Sequence, residues 1–213
     1  MNDSSEFQGD VMGICYIVGA GAFWGDFTPT DDDLVIAADG GLDTLRSLDI
    51  RADLAIGDFD SLGRIPSGIE TIRFKVEKDE TDMHLAYLEG KRRGYRSFRI
   101  YGGVGGRVDH TFANYCLLAY IAAQGDEAIL YDREYIARAI TNNSTRVVGG
   151  DGKGVSVFAF GGEAVGVTIK GLYYEAEDIT LSPSFPLGAS NHKTACDAQI
   201  SVKDGTLLIF EEI

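Results

Sequence analysis

Six short apolar runs, most of them followed by glycine or aspartate, constrain this chain more than any other feature. They are Ile14–Val18, Leu34–Ala38, Leu54–Ile56, Ile69–Phe74, Phe98–Tyr101 and Ala128–Tyr131. Runs of this length, rich in Ile, Val and Ala, fit buried parallel strands. Helical spacing lies between them. Leu42, Leu45 and Leu48 mark one face of a short helix after Gly40–Gly41. A second helix is predicted from Thr81, placed to cap it, through Leu85 and Leu88 toward Arg92–Arg93. A third runs from Asp109 to about Gln124, and Phe112, Cys116, Leu117, Tyr120 and Ile121 make it apolar enough to expect burial. Strand and helix in alternation predict a doubly wound α/β domain with a mainly parallel sheet over residues 1–140.

After about residue 140 the helical spacing disappears. Asn142–Asn143–Ser144 reads as a turn, and β-type segments follow at Gly154–Phe160, Ala164–Lys170, Ala198–Lys203 and Thr206–Phe210. Asp204–Gly205 between the last two predicts a hairpin. Residues 141–213 are therefore expected to form a smaller, all-β, sandwich-like domain.

The net charge of −14 argues against a nucleic acid partner, which needs a basic footprint. It suits a site that gathers metal cations or a cationic ligand. Glycine is nearly twice its usual share, with 27 residues against only 4 prolines, which points to tight turns and close backbone approach. No apolar run reaches the roughly 18 residues of a membrane span, and the polar, acidic start lacks the pattern of a signal peptide. The expectation is a cytoplasmic protein without membrane contact. Cys15, Cys116 and Cys196 are odd in number and widely spaced, so they are expected to be small core residues rather than a zinc site or a disulfide framework.

Three acidic segments stand at predicted strand ends or a helix entrance: Asp39-Gly40-Gly41, Gly57-Asp58-Phe59-Asp60-Ser61 and Lys78-Asp79-Glu80-Thr81-Asp82. The carboxyl ends of strands in an open α/β sheet form the crevice where ligands bind, so segments distant in sequence can converge there. Magnesium takes hard oxygen ligands, commonly one or two carboxylates with water and substrate phosphates. Asp58, Asp60 and Asp82 are the candidate ligands, with Asp39 placed to orient metal-bound water. Aspartate also caps helices and forms turns. The recurrence of three such clusters is what favours a site. A fourth segment, Gly102-Gly103-Val104-Gly105-Gly106-Arg107-Val108-Asp109-His110, joins a strand to a helix. Its glycines let backbone N–H groups approach phosphate, and Arg107 could fork onto phosphate oxygens. It is not a Walker A loop, and as a Rossmann fingerprint it lacks the third glycine, as does Gly19-Ala20-Gly21. His110 reads either as a phosphate donor or base or as a structural hydrogen bonder.

Taken in order, these four segments resemble thiamine pyrophosphokinase, and Phe112-Ala113-Asn114 continue the last motif. The likeness covers about residues 13–130 and extends more loosely through Gly171-Leu172-Tyr173-Tyr174 and Gly188-Ala189-Ser190-Asn191. It implies transfer of the diphosphoryl group of ATP to thiamine, with Mg2+ at Asp58, Asp60 and Asp82. Nucleotide contacts would come from Gly40, Lys78, Asp79, Thr81, Gly103, Gly105, Gly106, Arg107 and His110. Asp39 or Asp109 would accept the hydroxyl proton, and Ser190 and Asn191 would touch thiamine. The resemblance also implies a homodimer with a shared active site. Position 84, often acidic in the family, is histidine here, and residues 192–197 carry no clear family signature. Two other readings compete. Asp58-Phe59-Asp60 is a DxD pattern that suits a nucleotide-sugar glycosyltransferase, and the fold could serve a non-catalytic nucleotide or thiamine sensor.

Overall fold

The computed structural model describes residues 13–58, 68–74, 79–194 and 198–213. Two compact units are present. The first comprises Phe27–Arg99 with the chain up to Ala20, and the second comprises Gly21–Asp26 with Ile100–Ile213.

In the first unit, β1 (Ile14–Val18), β2 (Leu34–Ala38), β3 (Leu54–Gly57) and β4 (Glu70–Arg73) lie in the order β4-β3-β2-β1, with all three pairings parallel. The chain then enters β5 (Ser97–Tyr101), whose last two residues belong to the second unit. β2 and β3 are buried throughout, as strands covered on both faces must be, whereas the edge strand β4 is half exposed. Helix α1 (Gly41–Ser47) buries Leu42 and Leu45, but Leu48 caps its C-terminus and is 43% exposed, so the expected leucine face is one residue too long. Helix α2 (Asp82–Arg92) begins where the sequence predicts: Thr81 caps it, its hydroxyl accepting from the His84 N–H. Gly90 sits inside α2 against the sheet, where a Cβ would meet Cys15 Sγ at 2.8 Å and Phe98 Cε1 at 2.9 Å. Close helix packing therefore outweighs the helix-weakening tendency of glycine.

In the second unit, helix α3 (Val108–Ala123) packs Leu117, Leu118 and Ile121 against β6 (Glu127–Tyr131), β7 (Tyr135–Thr141) and β13 (Asp204–Glu212). Its expected burial is corrected. Phe112 and Tyr120 are exposed, and so is Cys116, leaving an apolar stripe at every fourth residue; Cys15 is buried as expected, while Cys196 lies outside the described residues. Between β7 and β13 come β8 (Ser144–Arg146), β9 (Gly154–Lys170), β10 (Ala176–Leu181), β11 (Asn191–His192) and β12 (Gln199–Ser201). Their order is β6-β7-β13-β9-β12-β8, with β10 and β11 also pairing with β9. The strands from β6 onward pair antiparallel.

Strand β9 corrects two expectations. Gly154–Phe160 and Ala164–Lys170 are halves of one strand, joined through Gly161, Gly162 and Glu163. Gly161 and Gly166 have φ of 76° and 70°, a region open to glycine, and the register to β13 shifts across this stretch. The first half pairs with β13 and the second with β10 and β12, so alternate residues of both halves face one core, including Val155, Val157, Val167 and Ile169. Because β12 and β13 pair with different stretches of β9, Asp204–Gly205 makes no hairpin between them. Gly205 is instead tied to the preceding turn: its N–H donates to Asn142 Oδ1 at 2.8 Å, and its carbonyl accepts from Asn142 N–H at 3.1 Å.

The strand β7 escapes the apolar-run criterion because Arg138 stands in its middle. That side chain is buried and meets Glu211 of β13, which has no exposure, at 2.8 Å. The N–H direction misses the acceptor, so the attraction is coulombic rather than a good hydrogen bond. Glu211 also accepts from Val148 N–H at 2.6 Å, and Arg138 donates to Thr145 Oγ1 at 3.3 Å. Removing one partner leaves the other charge buried and alone. Glu211→Gln is expected to lower stability by about 3 kcal/mol in urea unfolding. Arg138→Met with Glu211→Leu should recover most of that loss, and a Glu211→Gln variant as stable as the parent would contradict this account.

Candidate active site

In the first unit, three aspartates of the acidic segments are described at strand ends or a helix start. In a parallel sheet, the connections that leave the strands toward a helix emerge at the carboxyl edge. Asp39 directly follows β2, Asp58 directly follows β3, and Asp82 is the first residue of α2, the helix that follows β4. The Asp39 turn is held against the end of β3 by main-chain contact. The Asp39 N–H donates to the Ile56 carbonyl at 2.8 Å, and a Cβ at Gly57 would stand 3.2 Å from Asp39 Cα. Asp39 has φ of 47°, a left-handed conformation that costs a non-glycine residue about 1 kcal/mol and is commonest at turns and functional sites. Gly40 and Gly41 continue the turn. A Cβ at Gly41 would lie 1.9 Å from the Val18 carbonyl oxygen, so only glycine lets α1 start this close to β1.

Asp60 and Lys78, both singled out by the sequence, lie outside the described residues; Asp79 and Thr81 are exposed at the entrance to α2. Burial lowers the pKa of half-buried His84, and Glu80 partly offsets it. Among the described residues no group of three or more His, Cys, Asp or Glu side chains is assembled for a metal ion. Of the three expected ligands, Asp58 and Asp82 are described, and their carboxylates are hard oxygen donors of the kind magnesium takes, one or two sufficing when water and phosphate complete its shell.

The second unit holds the glycine loop between β5 and α3. Its conformation is fixed by the segment that follows Ala20, which in the sequence shows only as a weak glycine pattern. Gly21 N–H donates to the Gly102 carbonyl and Ala22 N–H to the Val104 carbonyl, each at 2.8 Å. Residue 21 must be glycine, since a Cβ would come within 2.4 Å of the Val104 oxygen. That contact explains Gly21 without a Rossmann role. Gly105 has φ of 76°, and a Cβ there would press on Ala22 Cβ at 2.6 Å, whereas a Cβ at Gly106 would meet nothing within 4 Å. Arg107 is the N-cap of α3, and its guanidinium grips Asp109 through both Nε and Nη2. The hydrogen bonds from Arg107 hold the Asp109 carboxyl below the usual range, and the pair is exposed. His110 is exposed, and its N–H donates to Asp109 Oδ1 at 3.0 Å. Arg107 and Asp109 thus come together, each pairing with the other.

The Gly188–Asn191 segment is also in the second unit. Gly188 lies against β9, where a Cβ would be 2.1 Å from the Val157 oxygen, and its carbonyl accepts from Val157 N–H at 2.9 Å. Ser190 is exposed with φ of 59°, and its N–H donates to Ser156 Oγ at 3.1 Å. Asn191 is buried, and its amide clasps the Tyr174 main chain from both sides: Oδ1 accepts from the N–H at 2.9 Å, and Nδ2 donates to the carbonyl at 2.8 Å. Its side chain is committed to placing Tyr174. Tyr173 and Tyr174 are both exposed, and the Tyr173 ring stacks on His192 at 4.8 Å. Sequence reasoning attaches no role to these two tyrosines or to Asn114, although all three fall within its motifs. Exposure of paired aromatics after Gly171 is visible only in the fold.

Residues 29–130 match the family model of the thiamin pyrophosphokinase catalytic domain, and residues 141–207 match that of the thiamin pyrophosphokinase vitamin B1 binding domain. No curated protein matches the sequence. Among solved structures, thiamin pyrophosphokinase from Geobacillus thermodenitrificans is similar at 25% identity and a TM-score of 0.81, covering 94% of this chain and 97% of its own. A thiamin pyrophosphokinase family protein from Enterococcus faecalis is 26% identical with a TM-score of 0.81, covering 94% of this chain and 98% of its own. Thiamine pyrophosphokinase from Bacillus subtilis shares the fold at a TM-score of 0.83 and 22% identity, covering 93% and 98%. With both halves of one enzyme family matched in order along it, the chain belongs to the thiamin pyrophosphokinase family.

Proposed function

We propose that this protein transfers the diphosphoryl group of ATP to the hydroxyl of thiamine, releasing AMP and thiamine diphosphate. The observation that carries the reading is the ordered match to a catalytic half and a vitamin B1 binding half. On it, residues 1–140 form the ATP- and metal-binding part and residues 141–213 the thiamine-binding part. Phosphoryl transfers of this kind depend on positioning and charge neutralisation. Mg2+, held by Asp58, Asp60 and Asp82, would neutralise the phosphate oxygens. The expected nucleotide contacts are Gly40, Lys78, Asp79, Thr81, Gly103, Gly105, Gly106, Arg107 and His110.

Arg107 faces a choice of anion. A phosphate chain offers its guanidinium the same bidentate geometry as Asp109 does. When Arg107 turns to phosphate, Asp109 loses the partner that depresses its pKa and becomes a stronger base. Either Asp109 or Asp39 would then take the proton of the thiamine hydroxyl as that oxygen attacks the β-phosphorus. Ser190 and Asn191 would meet thiamine, together with the exposed ring of Tyr174, whose main chain Asn191 holds; the cationic ring of thiamine suits both an aromatic face and an acidic protein. The active form would be a homodimer with a shared site, consistent with the apolar Phe112–Cys116–Tyr120 stripe. The protein would act in the cytoplasm; among the described residues no helix is long and apolar enough to cross a membrane. No nucleic acid enters the reaction.

Incubation with ATP, Mg2+ and thiamine should yield AMP only when thiamine is present, by chromatography of the nucleotides. ADP in place of AMP would overturn the reaction class. Asp58→Asn and Asp60→Asn should each keep the fold and lower turnover by at least about 100-fold, the scale of losing a major electrostatic element. Near-normal turnover in either would remove the metal assignment. Light scattering should find a symmetric dimer, and a fully active monomer would contradict the shared site.

A further inference from the structure

We propose that Asn114 is a positioning residue for diphosphate transfer, holding the glycine loop in the shape that receives the phosphate chain; this rests on the functional reading above. Asn114 lies on the inner side of α3 and is 5% exposed. Its Nδ2 donates to the Gly103 carbonyl at 2.7 Å, a buried bond. Residue 103 is glycine at a matching place: a Cβ there would come within 3.2 Å of that Nδ2 and 2.6 Å of Leu130 Cδ1. Loop and amide are therefore fitted to each other.

Three consecutive carbonyls of the loop are engaged in this way. Gly102 accepts from Gly21 N–H, Gly103 from Asn114 Nδ2, and Val104 from Ala22 N–H. A carbonyl oxygen turned toward an incoming phosphate would repel it, while backbone N–H groups attract it. Rotating any of these three peptides outward would break its hydrogen bond, so the bonds select the conformation in which carbonyls are withdrawn from the ligand. Two of the three donors are main chain. Asn114 is the one that a substitution can delete.

The amide also has the right charge. A carboxylate of the same shape would face the Gly103 oxygen with a second negative atom and push the peptide away. The contribution should thus be felt in nucleotide binding and not in thiamine binding, for which this reading uses Ser190 and Tyr174.

The test compares wild type with Asn114→Asp at pH 8, measuring KM for ATP, KM for thiamine, kcat and thermal midpoint. The expected result is a rise in KM for ATP of about tenfold or more, the scale of an unmade buried hydrogen bond. KM for thiamine should stay within about twofold. A folded variant with unchanged KM for ATP overturns the proposal, as does an equal rise in both KM values with a lowered thermal midpoint, which is the signature of general loosening. Should Asn114→Asp fail to fold, Asn114→Ser, smaller and uncharged, is read by the same criteria. Wild-type protein that makes no AMP overturns the functional reading itself, and the proposal with it.

Discussion

A methyl group at residue 41 would lie 1.9 Å from the carbonyl oxygen of Val18, and one at residue 188 would lie 2.1 Å from that of Val157. Neither overlap can be relieved by rotating a side chain, because the atom struck belongs to the backbone of a buried strand. Main chain laid on main chain is the constraint on which both halves of the candidate machinery rest. In the first unit it brings the start of α1 and the Asp39 turn onto the ends of β1 and β3. In the second it seats the segment before Ser190 on β9 and presses Gly21 against the phosphate-loop candidate. The glycine excess thus serves approach distance, and most of the acidic and aromatic side chains of interest stand beside such contacts.

Much of the first unit was legible because its signals are local. The bounds of β1 and β2 agree with the apolar runs, since each strand is covered on both faces and carries no polar interruption. Thr81 was readable as a cap because a hydroxyl one residue before an apolar helix has little else to do. Leu48 misled because a leucine in phase can still fall past the helix end. The stripe on α3 misled for another reason: composition reports how apolar a helix is, not which of its faces a sheet covers.

The second unit was harder, and long-range pairing is the reason. Arg138 breaks the apolar run of β7, and nothing near it in sequence announces Glu211 as its partner. The break at Gly161–Gly162 looks like a turn between two strands, although the backbone continues through it. Asp204–Gly205 has the composition of a hairpin but is claimed by Asn142, more than sixty positions upstream. The candidate site divides along the same line. Its motifs were readable as segments, while the Arg107–Asp109 pair, the Asn191 clasp on Tyr174 and the carbonyls gathered around Gly103 are properties of the folded chain. Asp60 and Lys78 lie outside the described residues, so for them the sequence argument stands alone.

The placement of β13 between β7 and β9 bears on how the protein comes into being. While the ribosome is still making the chain, β7 and β9 have been synthesised but lack the strand that joins them, and each presents an unsatisfied edge to its surroundings. Only when residues 204–212 emerge can that seam close, with a pairing that spans most of the second unit. Such late, distant closure is slow and leaves a nascent intermediate open to misassociation. The cell's holding chaperones would therefore matter more to the second unit than to the parallel sheet, whose strands pair soon after each is made.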